Sequence, residues 1–183
     1  MPVMSLLAPM EPLLAAAELG RREFVVHGSQ LMVGGIAASL SLLCVVFHYE
    51  VMSWTSRYVP RLSLPPRGRI VLMILAMLLA HVIEVWAFAL VYWSLDVYPS
   101  LGHLQGTFDE GALDFVYFSV VCFTTLGFGD ILPTGAIRIL VGTEALVGLG
   151  LVTWSASFAF LEMQRDWVEF HRSAPRNRHE RRD

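Results

Sequence analysis

Seven residues in the second half of the chain, Thr124-Thr125-Leu126-Gly127-Phe128-Gly129-Asp130, combine types suited to one kind of chemistry. Gly127 and Gly129 alternate with Leu126 and Phe128, and glycine enters backbone conformations closed to residues with a β-carbon. That freedom turns consecutive carbonyls to one side, where they replace the hydration shell of a cation. Thr125 adds a hydroxyl oxygen at the inner end of the run. The chemistry is ion coordination by oxygen. A second set is titratable: His81, Glu84 and Glu144 lie inside apolar stretches, where ionisable groups mark functional sites. His81 and Glu84, at i and i+3, share a helix face. Counted from the outer ends of their helices, Glu84 and Glu144 both lie about 12 Å deep. The spacing predicts a His81–Glu84–Glu144 cluster between two helices, either a proton-sensitive clamp or a set of static hydrogen bonds.

The elements that must position these residues belong to a membrane. Residues AVILMFWYC make up 55% of the 183-residue chain and DEKR only 16%, against about 25% charged in soluble domains. With a mean hydropathy of +0.57, too few charges remain to coat a water-exposed surface, which excludes a soluble enzyme, a disordered chain and a collagen-like one. All 13 basic residues are arginine and the net charge is −3, so nucleic acid is not an expected partner. Cys44 and Cys122 lie in separate apolar stretches and suggest neither a disulfide framework nor a CxxC metal site.

A bilayer core about 30 Å thick needs roughly 20 apolar residues of helix, and three stretches qualify. The expected layout is an N-terminal segment 1–28, a first helix 29–52, a linker 53–69, an outer helix 70–93, an inner helix 136–163 and a tail 164–183. Arg57, Arg61, Arg67 and Arg69 in the linker, with Arg165, Arg172, Arg176, Arg178, Arg181 and Arg182 in the tail, put those segments in the cytoplasm. Ser94–Leu113, with Asp96, Asp109 and Glu110 and no base, falls outside. That acidic segment either concentrates cations or is simply solvated. Tyr92, Trp93 and Tyr98 at one end, and Trp54 and Tyr58 at the other, fit interfacial belts or packing between helices. No span carries arginine at every third position, so a voltage-sensing helix is not expected.

Between the outer and inner helices, Ala112–Phe123 is apolar but covers only about 18 Å, too short to cross. Thr107 and Glu110 form a T-x-x-E capping box that starts a helix at Phe108, giving a half-helix 108–123 followed by the run 124–130. Non-helical backbone at membrane depth is tolerated only inside protein or along a water-filled cavity, so this re-entrant segment points to a pore. One chain supplies one such strand, and an oxygen ring needs several, which requires a closed cyclic homo-oligomer.

TTLGFGD resembles the potassium-channel signature, of which TVGYG is the commonest form. The resemblance covers Ile70 to Leu161. It implies an all-α pore of outer helix, pore helix, filter and inner helix, preceded here by one additional membrane helix. It further implies a homotetramer among membrane lipids, in a bacterial inner membrane, that conducts K+ passively. No catalysed reaction, small-molecule substrate or cofactor other than the permeant K+ is implied. Thr125, Leu126, Gly127 and Phe128 would coordinate the ion, with Thr124, Gly129, Asp130 and Tyr117 in support. Leu126 and Phe128 replace the usual Val and Tyr. Val121 stands where the best-known bacterial two-span channel has a pore-helix Glu, leaving Tyr117 to bond Asp130. Gly148 aligns with the family's inner-helix hinge, with Gly150 close by; either permits a bend or close helix packing. Val152, Ala156 and Phe160 recur at i, i+4 and i+8, a face that either lines the cavity, with Phe160 as an apolar gate, or meets lipid. The first helix, through Gly34-xxx-Ala38 and Gly35-xxx-Ser39, suits close packing on the outer helix. Two alternatives remain, a less selective cation channel and a membrane redox subunit holding haem through His48 and His81. The second needs matched depths, whereas His48 counts as near one end and His81 as mid-membrane.

Overall fold

Apolar runs without a helix breaker become helices that outlast the runs themselves. A computed structural model describes the backbone of residues 11–107 and 111–173, and the side chains of 27–107, 111–165 and 167. Helix α1 spans Glu11–Tyr58, well beyond the expected 29–52. The run Ala15-Ala16-Ala17-Glu18-Leu19 consists of strong helix formers, which carry the helix back towards Glu11. At its other end nothing breaks it before Pro60. A short 3-10 turn, Val59–Arg61, then leads to helix α2, Pro66–Asp96. Pro66 opens α2 as its first residue, where its missing N–H has no helical partner to lose. The linker expected at 53–69 thus shrinks to a tight connection.

After α2 come strand β1, Leu104–Gly106, helix α3, Ala112–Phe123, strand β2, Ile131–Pro133, and helix α4, Ile137–Ser173. The α4 helix continues past the expected end at 163 because Glu162, Met163, Gln164 and Arg165 are good helix formers. Arg165 Nη1 donates to Glu162 Oε1 at 2.7 Å across one turn of it. The small antiparallel pair β1–β2, in register Leu104↔Pro133, Gln105↔Leu132 and Gly106↔Ile131, was not expected from sequence. It joins the segment after α2 to the segment after the glycine run. Gly106, at φ +131°, lies so close that a β-carbon there would overlap the Asp130 carbonyl.

Three helices, α1, α2 and α4, are long and apolar enough to cross a membrane, while α3 is not. They pack on one another and around α3, whose Phe115, Phe118, Val121 and Phe123 are buried. The buried stripe of α1 is Val33, Ala37, Cys44, His48, Met52 and Thr55, at helical spacing, and it faces both α2 and α4. The expected small-residue seam is therefore corrected. A β-carbon at Gly34 or Gly35 would meet nothing within 4 Å, and Ala38 and Ser39 are exposed. The larger residues of the neighbouring stripe make the contact. Leucines on the outer faces, such as Leu31, Leu42, Leu43, Leu78 and Leu79, are left uncovered, as apolar surface meeting lipid or another chain must be.

Gly148 sits where α4 crosses the end of α3. A β-carbon there would overlap the Phe123 carbonyl and approach its ring carbon to 2.9 Å, whereas one at Gly150 would meet nothing within 4 Å. Gly148→Ala is expected to destabilise the protein by about 1–3 kcal/mol through overpacking. Gly150→Ala should be neutral or stabilising by up to about 1 kcal/mol through helix propensity. Thermal unfolding of the two purified variants beside the parent checks both signs.

Candidate functional site

The half-helix α3 carries the site. Its described start is Ala112 with Gly111 before it, and the Gly111 N–H donates to Asp114 Oδ2 at 3.3 Å. The helix expected to start at Phe108, from Thr107 and Glu110, is corrected: Gly111 is extended, at φ −76° and ψ 149°, so the helix begins only at Ala112, and 108–110 lie outside the described residues. An acid in the first turn suits the positive end of the helix dipole, and the negative end is directed towards residues 124–130.

Where α3 ends, the chain turns back on it. Thr124 N–H donates to the Val120 carbonyl and Thr125 N–H to that of Cys122, both at 3.0 Å. The Val121 carbonyl then receives two amides, from Leu126 at 3.0 Å and from Gly127 at 3.4 Å. Donors of the run are thus drawn behind it. Among the described residues no hydrogen bond ends on a carbonyl of Thr125, Leu126, Gly127 or Phe128. Positive φ recurs at every second residue: Thr125 at +58°, Gly127 at +57° and Gly129 at +78°. Space does not select the glycines, since a β-carbon at either would meet nothing within 4 Å in the chain; φ does. Thr125 is the surprise, because a β-branched residue at positive φ is a conformational outlier. Such strain costs about 1–3 kcal/mol and collects at functional sites. The Leu126 and Phe128 side chains are 58% and 65% exposed in the single chain, so the run lies at an open face.

Asp130 fixes the far end of the run through three bonds. Tyr117 Oη donates to its Oδ2 at 2.7 Å, Ile131 N–H to its Oδ1 at 3.1 Å, and Thr107 N–H to its carbonyl at 3.0 Å. Asp96 serves the same region as an anchor, accepting from Leu104 N–H at 3.0 Å.

Behind the run, the titratable residues form two networks where one was expected. Tyr92 Oη donates to Glu144 Oε2 at 2.5 Å. Ser119 Oγ lies 2.5 Å from Glu144 Oε1 and 2.9 Å from the Val85 carbonyl. Glu144 therefore ties α4 to α2 and α3. Glu84 instead accepts from His48 Nδ1 at 2.9 Å and from His81 Nδ1 at 3.0 Å, and Ser155 Oγ meets the two Nε2 atoms at 2.8 and 3.1 Å. The expected Glu84–Glu144 contact is thus overturned, and the clamp built on it goes too. Glu144 reaches the Val85 carbonyl through Ser119, so the two carboxyls lie at neighbouring depths but turn to different partners. Counting depth from helix ends ignored the direction in which each carboxyl points.

Tyr92, expected in an interfacial belt or between helices, is fully buried and edge-on to Phe118 at 5.1 Å. Trp93 and Tyr98 are exposed. Sequence reasoning missed Ser119 and Ser155 and misplaced His48. The available signal was a polar residue at helical spacing on a stripe of buried apolar ones. The depth mismatch held against haem is also corrected, since His48 and His81 stack at 4.9 Å between ring centroids. Haem still does not fit: stacked rings that share Glu84 and Ser155 leave no plane between them for a porphyrin. Gly148 lies against the Phe123 carbonyl, within an unbroken α4. Val152, Ala156 and Phe160 are all exposed, beside the buried Leu151 and Ser155.

A family model described as "Ion channel" matches residues 80–165, from His81's turn of α2 through the glycine run to the far end of α4. Residues 80–165 are thus similar to a two-helix, pore-type ion-channel domain. It is similar to "Two pore potassium channel b" of Oryza sativa subsp. japonica, 34% identical over 64 residues, which cover 34% of this chain and 18% of that one. The chain thus spans under a fifth of that relative's length in the matched region. No solved structure matches it. With its three span-length apolar helices, the protein is a mostly helical membrane protein.

Tyr117→Phe keeps the ring and removes the hydroxyl from Asp130. Single-channel recording is expected to show altered filter inactivation in the variant; inactivation identical to the parent would remove Tyr117 as a support of the filter.

Proposed function

We propose that the protein is a potassium-selective channel that conducts K+ passively through a homotetrameric filter. One observation carries the proposal: the 125–128 carbonyls accept no internal hydrogen bond while the amides of 125–127 donate back into α3. A strand so arranged offers oxygens on one side only, as a filter that replaces an ion's hydration shell requires. Thr125, Leu126, Gly127 and Phe128 supply the ligands, while Thr124, Gly129, Tyr117 and Asp130 hold them. A single chain gives one column of oxygens, and four related by a closed rotation give the cage. The rice relative, named as a potassium channel, supports the choice of ion. Leu126 and Phe128, exposed in one chain, are the surfaces that neighbouring subunits would cover.

Below the filter, the exposed face of Val152, Ala156 and Phe160 lines the cavity, and four Phe160 rings form a constriction that closes by dewetting. Gly148 and Gly150 are where such a helix would bend.

Potassium flux from liposomes tests the proposal. Wild-type protein is expected to pass K+, with reversal potentials in mixed Na+ and K+ following K+. Gly127→Ser, which puts a side chain at φ +57°, should abolish selective flux; Na+ following as readily as K+ in the wild type would leave a non-selective cation channel. In the same assay Phe160→Asn, a polar residue at the constriction, should raise flux. Unchanged flux would remove Phe160 as the gate.

A further inference from the structure

Where α1, α2 and α4 meet, four side chains close a ring that the ion path does not use. Glu84 contacts both Nδ1 atoms of His48 and His81, and Ser155 Oγ contacts both Nε2 atoms, all four contacts between 2.8 and 3.1 Å. Each contact joins two nitrogen or oxygen atoms and needs one hydrogen. Two neutral imidazoles carry one N–H each and the Ser155 hydroxyl carries one, so with Glu84 ionised three hydrogens serve four contacts. The ring is short by one hydrogen, a place that a bound cation can take. An ionised carboxylate sealed from water, as the Glu84 site is, is stabilised by a positive partner. No arginine supplies it among the described contacts of this ring.

We propose that His48, His81 and Glu84 bind a divalent transition-metal ion of the zinc type. Two imidazoles and one carboxylate are a donor set that holds zinc while leaving a fourth position open. One ligand atom from each residue lies within 4.8 Å of the other two. A tetrahedral ion with bonds of about 2.0–2.1 Å sets neighbouring ligand atoms about 3.3 Å apart. Seating it widens the His–Glu contacts of 2.9 and 3.0 Å by a few tenths of an ångström.

Both contacts of Ser155 are then supplied with a hydrogen. Metal on each Nδ1 places the imidazole hydrogen on each Nε2, and both donate to Ser155 Oγ, whose two lone pairs accept them. Ser155 becomes the residue that fixes both tautomers from behind, the usual partner of a metal-bound histidine. The nitrogen and carboxylate donors favour zinc-like ions over magnesium or calcium, which take oxygen alone. His48 and Glu84 are sealed, whereas His81 is 16% exposed, so the ion enters along its edge. Once bound, it cross-links α1 to α2 beside Phe123, whose ring stands 5.7 Å from that of His81 at the foot of the pore helix. Whether the filter is potassium-selective does not bear on this site.

The full chain, reconstituted in lipid nanodiscs, stripped with EDTA and titrated with zinc alone, supplies the test. We expect one zinc retained per chain, with affinity lowered about tenfold or more in His48→Gln and in Glu84→Gln. His103→Gln, on an exposed loop beside Gln105, should leave it unchanged. X-ray absorption at the zinc edge of the loaded wild type needs no variant to fold, and should show two imidazoles with oxygen and no sulfur. Equal affinity in the variants, sulfur in the zinc shell, or no zinc retained, the ring then being completed by a proton only, overturns the proposal.

Discussion

A backbone amide at membrane depth has no water to bond, so every stretch that leaves the helix must return its donors to protein. The first half of the run, 124–127, meets this constraint by folding onto the last turn of α3, with the Val121 carbonyl taking two amides and those of Val120 and Cys122 one each beyond it. Satisfying the donors on one side is what strips the other side of everything but carbonyls. The same requirement fixes what surrounds the run. The pore helix must end where its last carbonyls can be used, α4 must pass close enough to brace that end, and only glycine at 148 permits the approach. Thr125 at positive φ is part of the same solution, held there by its own amide bond to Cys122.

Much of this was legible in the chain. Alternating glycines after a half-helix, between two full spans, signal a re-entrant loop because the lengths admit little else. Hydropathy located the spans but not their ends, since it measures compatibility with lipid while helix ends depend on breakers. Glu11 to Ser29 and Ser53 to Tyr58 are polar enough to lie outside an apolar core yet contain nothing that stops a helix. The pairing of Glu84 with Glu144 failed for a related reason. Depth along an axis is readable from sequence, but the partner across the axis depends on helix rotation and offset, which only packing sets. His48 was set aside on depth, although its place on the stripe Ala37–Cys44–His48–Met52 put it in the core.

Two polar networks divide the labour of holding the helices together. Glu144, with Tyr92 and Ser119, joins α2, α3 and α4 behind the run 124–130. The ring of His48, His81, Glu84 and Ser155 adds the first helix to that frame. Among the described residues no buried side-chain nitrogen or oxygen is left without a hydrogen-bond partner. In a hydrocarbon setting that matters more than any single bond, because breaking one member of such a network leaves its partners stranded.

The contact of α1 with α4 reaches further than packing. Besides the bond of His48 to Ser155, Ser56 Oγ donates to Glu162 Oε1 at 3.3 Å and Tyr49 stacks near Trp154 at 6.4 Å between centroids. The inner helix is thus strapped over Trp154–Glu162 to a helix whose outer face is apolar and uncovered. It cannot splay without either breaking that strap or dragging α1 sideways through the acyl chains. For the proposed channel, lateral pressure of the bilayer would then enter the free energy of opening as mechanical work done on α1.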